Sequence, residues 1–170
     1  MDSDLSYRGI IKNKKIVTVE EGHADDDLCN KGYETYHIHP QVYTCSVIPS
    51  WRDMRFISAP RNYKIKDHYI GTRMGIWKIK PIKNVKLEDL IKIFKSFEGK
   101  NCKYFDKIIK GTQKDKYRAH INYVLTICDM HKIKVKFYPY EKMVYCKNKE
   151  LTTGFDRDSI IIFRVLSHEV

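Results

Sequence analysis

His37-Ile38-His39-Pro40 and Pro49-Ser50-Trp51-Arg52-Asp53 are the two short stretches on which the reading of the fold turns. The first belongs to Tyr33–His39, where Tyr36 and Ile38 alternate with Thr35, His37 and His39. A period of two is strand periodicity, and it places both histidines on one face. The second stretch predicts a short helix. Ser50 is an N-cap residue, and Asp53, three positions on, completes a capping-box-like pair. Met54, Phe56 and Ile57 supply the apolar face, and Pro60 ends the helix.

Two imidazoles on one face of a strand can grip a single divalent ion, and neutral imidazole suits zinc. Asp53 is the candidate third ligand. A catalytic zinc site keeps three protein ligands and one open position. Ser50 is placed to hydrogen-bond a developing oxyanion, and a nearby glutamate would be the general base. Each element also has a plainer reading. A His-x-His pair alone usually means two polar residues on a half-exposed strand, and Ser50 and Asp53 look the same if they only cap a helix. The two stretches together carry more than either does alone.

His-x-His-Pro followed by Pro-Ser-x-x-Asp resembles the motif of the JAMM (JAB1/MPN) metalloproteases, and its form is most similar to the JAB-like proteins of large DNA viruses. The likeness runs in order from Gly9 to Pro81, with Tyr69-Ile70-Gly71-Thr72-Arg73-Met74-Gly75-Ile76-Trp77 resembling the strand–turn–strand after the motif helix. The resemblance implies an α+β fold: a single MPN/JAB-like domain over residues 1–170, with a mixed, curved β-sheet flanked by helices. It implies a zinc hydrolase, a peptidase or deubiquitinase-type isopeptidase acting on a ubiquitin-like conjugate or a viral polypeptide. His37, His39 and Asp53 would be the metal ligands and Zn2+ the cofactor.

Two departures qualify that implication. Residues 40–49 form a longer loop between the motif halves than the family usually has. The family's general base is a glutamate two or three residues before a glycine on an early strand. With Gly9 as that glycine, the position falls on Ser6 or Tyr7, and neither is a carboxylate. Asp4 would need a shift of register. Glu20 and Glu21, just after Val17-Thr18-Val19, are the remaining candidates for the catalytic base beside Ser50. Zinc ligands without a base would leave a pseudoenzyme, an MPN-like binding protein or a virion structural protein with protein partners.

Bulk properties narrow the classes further. A chain of 170 residues with 42% hydrophobic content suits one core. The N-terminus has neither the basic start nor the apolar run of a signal peptide. No apolar run approaches the roughly 18–20 residues of a membrane span. The expectation is a cytoplasmic protein, in a host cell or virion on the viral likeness. The net charge is +11, which attracts nucleic acid. The lysines, however, are spread from Lys12 to Lys149 without a recognition motif, so a solvated basic surface is the plainer reading. Five cysteines without a CxxC pair predict reduced, buried thiols. Glu20 to Asp27, with His23, reads as a solvated acidic loop, and Cys45 as a spectator thiol.

The remaining elements follow from periodicity. Tyr7–Val19 predicts a hairpin. His68–Thr72 and Gly75–Lys80 predict strands joined at Arg73-Met74. Leu87–Phe97 predicts an amphipathic helix with Asn84 as a cap and Gly99 as its end. Asp115–Met130 predicts the longest helix, and Lys132–Tyr138 and Ser159–Val165 predict strands. Lys100–Gly111 reads as a polar connector.

Overall fold

The computed structural model describes residues 7–12, 15–16, 20–21, 34–39, 47–97 and 100–140. Its elements in chain order are β1 (Tyr7–Lys12), β2 (Lys15–Ile16), β3 (Glu20–Glu21), β4 (Glu34–Ile38), α1 (Trp51–Ser58), β5 (His68–Thr72), β6 (Gly75–Ile79), α2 (Leu87–Lys95), α3 (Lys100–Ile108), α4 (Gln113–Met130) and β7 (Val135–Pro139). A 3-10 turn, Pro60–Asn62, follows α1 where proline ends the helix.

The sheet runs β2-β1-β4-β5-β6-β7, and β3 pairs with the other end of the same edge of β1. Only β4 and β5 run parallel among the described pairings, so the sheet is mixed and the fold is α+β. The parallel step follows from α1: the chain crosses back over the sheet through that helix before laying β5 beside β4. β5 and β6 are joined at Arg73-Met74, where the Thr72 hydroxyl donates to the Gly75 carbonyl at 2.8 Å. A Cβ on Gly75 would overlap the Tyr138 carbonyl and the Phe137 ring, so β7 lies against bare backbone there.

Side chains alternate across the sheet into two clusters. Ile70, Trp77 and Ile79 pack with Met54 and Ile57 of α1, Leu90 and Phe94 of α2, and Val124 of α4. Tyr36, Ile38, Tyr69 and Ile76 point the other way and pack with Ile11. Thr35 and His37 therefore lie on the helix-covered face, and both are buried.

Several expectations change. The connector at Lys100–Gly111 is largely a helix, α3, which exposes Tyr104 and Ile108. Asn84 is not the cap of α2: Lys86 holds the N-cap position without a side-chain bond. The cap of α4 is Thr112, whose hydroxyl accepts from the Asp115 N–H in a capping box. Lys132 adopts φ 54°, and the Ile133 N–H donates to the Cys128 carbonyl at 2.8 Å. That left-handed helix end uses up residues that would otherwise begin β7. Cys102 is disulfide-bonded, which corrects the expectation of reduced thiols, while Cys128 is free and buried. The predicted strand at 159–165, the acidic loop after Glu21, His23 and Cys45 lie outside the described residues.

Candidate metal centre

Three backbone devices bring the motif halves together. β4 carries Thr35 and His37 inward. His39 stands just past its end, where its N–H still donates to the Gly71 carbonyl at 2.9 Å, holding it in the parallel ladder. The Trp77 indole N–H donates to the Val47 carbonyl at 2.9 Å, fixing the chain shortly before α1. The capping box then sets Asp53. The Asp53 N–H donates to Ser50 Oγ at 3.2 Å, and Asp53 Oδ2 accepts from the Ser50 N–H at 2.6 Å and from its hydroxyl at 2.8 Å.

The same carboxylate meets both histidines. His37 Nε2 lies 3.0 Å from Asp53 Oδ1, and His39 Nε2 lies 2.9 Å from Oδ2. The His37 and Asp53 side chains are 4% and 5% exposed and that of His39 is 11% exposed, so His39 is the least buried of the three. Burial alone would raise the Asp53 carboxyl, but attraction from His37 and His39 and their hydrogen bonds outweigh it and hold it well below the usual carboxylate range.

The donor set fits a divalent metal. One ligand atom from each of His37, His39 and Asp53 can be chosen so that all lie within 4.8 Å of one another. Ligands at roughly 2.0–2.1 Å from a tetrahedral zinc stand about 3.3 Å apart. The direct contacts of 2.9–3.0 Å, one on each carboxylate oxygen, are within a few tenths of an ångström of that, and the three chosen ligand atoms lie within 4.8 Å of one another. Three protein ligands would leave one position open.

A third histidine, His68, joins these residues without belonging to either motif half. It begins β5 in register with Thr35 and is 2% exposed. Its Nε2 lies 3.0 Å from His37 Nδ1, and its Nδ1 lies 2.7 Å from Thr35 Oγ1. Phe56 of α1 packs against its ring at a centroid distance of 5.1 Å. Burial and the neighbouring His37 push its pKa well below the ordinary imidazole value.

The structure unites His37, His39, Ser50 and Asp53. The candidate bases stand at the far side of β1: Glu20 pairs with Arg8 and Glu21 with Tyr7, while Arg8 also pairs with His37. Glu20, rather than Glu21, therefore shares a cross-strand row with His37, two strand spacings or roughly 10 Å away through the backbone.

A second cluster, Cys102 and Asp106 on α3 with His120 on α4, also brings potential ligand atoms together. The Cys102 sulfur is in a disulfide, and a metal needs a thiolate. His120 Nε2 and Asp106 Oδ1, 2.9 Å apart, serve instead to fasten the two helices.

No protein-family profile matches the chain, and no match was found among curated proteins or solved structures.

Proposed function

We propose that His37, His39 and Asp53 bind one zinc ion and that the chain is a JAMM/MPN-like zinc-dependent peptidase or isopeptidase. The observation that carries this reading is the convergence of one imidazole nitrogen from β4, one from the residue just past its end and a carboxylate from α1 at near-ligand spacing. A bound zinc supplies Lewis acidity that activates water near neutral pH. The chain's own groups have definite tasks around it. Asp53 supplies the negative charge, and β4 fixes the two rings. The Ser50 hydroxyl donates to Asp53 Oδ2, so it would serve an oxyanion only after turning from that oxygen. Glu20 is the better placed of the two candidate bases, by backbone register. The substrate class is a ubiquitin-like conjugate or another polypeptide.

A specific observation favours a second reading, a metal-binding MPN-like module without hydrolase activity that binds protein partners. Tyr7 stands on β1 where the family would put its base, and the backbone register sets Glu20 two strands away from His37.

Metal analysis of protein purified without chelators decides the first step. About one zinc per chain, lost in His37→Ala and Asp53→Ala, supports the centre; a zinc-free wild type that also fails to take up added zinc removes it. Cleavage of a ubiquitin dimer or a peptide library decides the second. Zinc-dependent cleavage lost in Glu20→Gln supports the hydrolase. Zinc binding without cleavage leaves the binding module.

A further inference from the structure

We propose that His68 is a positioning residue for this centre: with a metal bound, its Nε2 accepts a hydrogen bond from the Nδ1–H of His37 and so favours the one tautomer that can offer Nε2 to that metal. This inference rests on the zinc reading and adds a residue that the motif does not contain.

The placement of protons on the two rings decides which way each hydrogen bond runs. His37 presents Nε2 to Asp53 and to the third-ligand side of the centre, and Nδ1 to His68. A metal takes the lone pair of Nε2, so that nitrogen must be bare, and the neutral ring must carry its hydrogen on Nδ1. At 3.0 Å from His68 Nε2, that N–H needs an acceptor. His68 Nε2 can accept only if the hydrogen of His68 sits on Nδ1. Nδ1 faces Thr35 Oγ1 at 2.7 Å, and a hydroxyl oxygen can accept that hydrogen while donating its own elsewhere. With a metal on Nε2, one direction of donation therefore runs from the centre inward, His37 to His68 to Thr35; without it, His37 Nε2, 3.0 Å from the accepting Asp53 Oδ1, carries a hydrogen of its own.

The surroundings make the arrangement rigid. Thr35, His37 and His68 are each buried to 3% exposure or less. Thr35 and His68 are partners in the β4–β5 ladder, and Phe56 packs on the His68 ring. Metal-bound histidines ordinarily give their other N–H to a carboxylate, a carbonyl or water, and that outer partner sets ring orientation and basicity. Here a second imidazole fills that role, in a place closed to water.

The test uses the intact chain with zinc and with cobalt. In zinc-loaded protein labelled with 15N-histidine, NMR should report the Nδ1–H tautomer for both His37 and His68. Zinc affinity, measured by competition with a chromophoric chelator, should fall about 10–100-fold in His68→Leu. His68→Gln, whose side-chain carbonyl can accept the same proton, should recover most of the loss. The visible bands of cobalt-loaded protein should shift in the leucine variant and return toward wild type in the glutamine variant. An Nε2–H tautomer of His68 in the zinc-loaded wild type overturns the inference. So does wild-type zinc affinity in a folded leucine variant. If the leucine variant does not fold, the wild-type tautomers and the glutamine variant still decide. A wild type that binds no zinc overturns this inference together with the zinc reading. Zinc binding that is indifferent to His68 overturns this inference alone.

Discussion

Asp53→Ala should be among the most damaging single substitutions in the metal-free protein, far beyond the loss of a helix cap. The carboxylate accepts from the Ser50 N–H and hydroxyl and meets the Nε2 atoms of His37 and His39, at 2.6–3.0 Å. The capping share alone is worth about 1 kcal/mol. The larger share comes from His37, which is buried on all sides, and His39, which is mostly so. Removing their common partner takes the acceptor from two ring nitrogens at once, and each buried donor left unsatisfied costs about 1–3 kcal/mol. A domain is stable by only about 5–15 kcal/mol in total. Ser50→Ala is the control, because it removes the hydroxyl cap and leaves the carboxylate with both histidines; it should cost about 1 kcal/mol. Urea unfolding followed by circular dichroism, with zinc removed by chelator, measures both. The reasoning fails if Asp53→Ala loses no more than Ser50→Ala. Adding zinc sharpens the contrast: at about 100 times its dissociation constant the ion adds about 2.7 kcal/mol to the wild type, and it should add nothing to the alanine variant.

Trp77→Phe should lose about 2–3 kcal/mol, because Trp77 is fully buried and its N–H is bonded to the Val47 carbonyl; a thermal melt checks it, and zinc affinity should fall too if that bond fixes the approach to α1. Gly75→Ala should destabilise more than an alanine placed on the exposed face of α4, since its Cβ would overlap the Tyr138 carbonyl; chemical denaturation compares the two. Burial pushes the Cys128 thiol from 9.0 up to about 12. In the native protein at pH 8 it should therefore alkylate about 1000-fold more slowly than a free thiol, as read by mass spectrometry of the Cys128 peptide. Cys128 holds its proton in the folded state after the unfolded chain has lost it, so its contribution to stability is complete below pH 9 and declines as the pH rises toward 12.

What was legible in the sequence is what local chemistry encodes. The β4 alternation, the Ser50–Asp53 box and the two strands around Arg73-Met74 each depend on residues within a few positions, and all appear in the structure. α3 was not legible because Tyr104 and Ile108, two of its apolar residues, are exposed, and its hold on α4 includes the Asp106–His120 pair, remote in sequence. His68 was not legible for a related reason. A lone histidine at the start of a strand carries no pattern. It becomes the neighbour of His37 only through the parallel pairing of β4 and β5, and parallel register has no turn in the sequence to announce it. The Cys102 disulfide was equally hidden, since pairing cannot be deduced from spacing alone.

The same contrast separates binding a metal from hydrolysing a bond. Asp53 is placed by the helix it helps to cap, so its distance from Ser50 is fixed whatever the length of residues 40–49. A longer loop costs only slowly growing closure entropy, and the lengthened loop is therefore no argument against a formed centre. The base has no such local device. Glu20 reaches the row of His37 only through β1, and Arg8 occupies the intervening position in that row. Glu20→Gln is therefore the informative variant: in a working hydrolase it should abolish turnover with zinc affinity nearly unchanged. Cleavage indifferent to it would place the base elsewhere, and zinc binding with no cleavage in the wild type would assign the centre to recognition rather than chemistry.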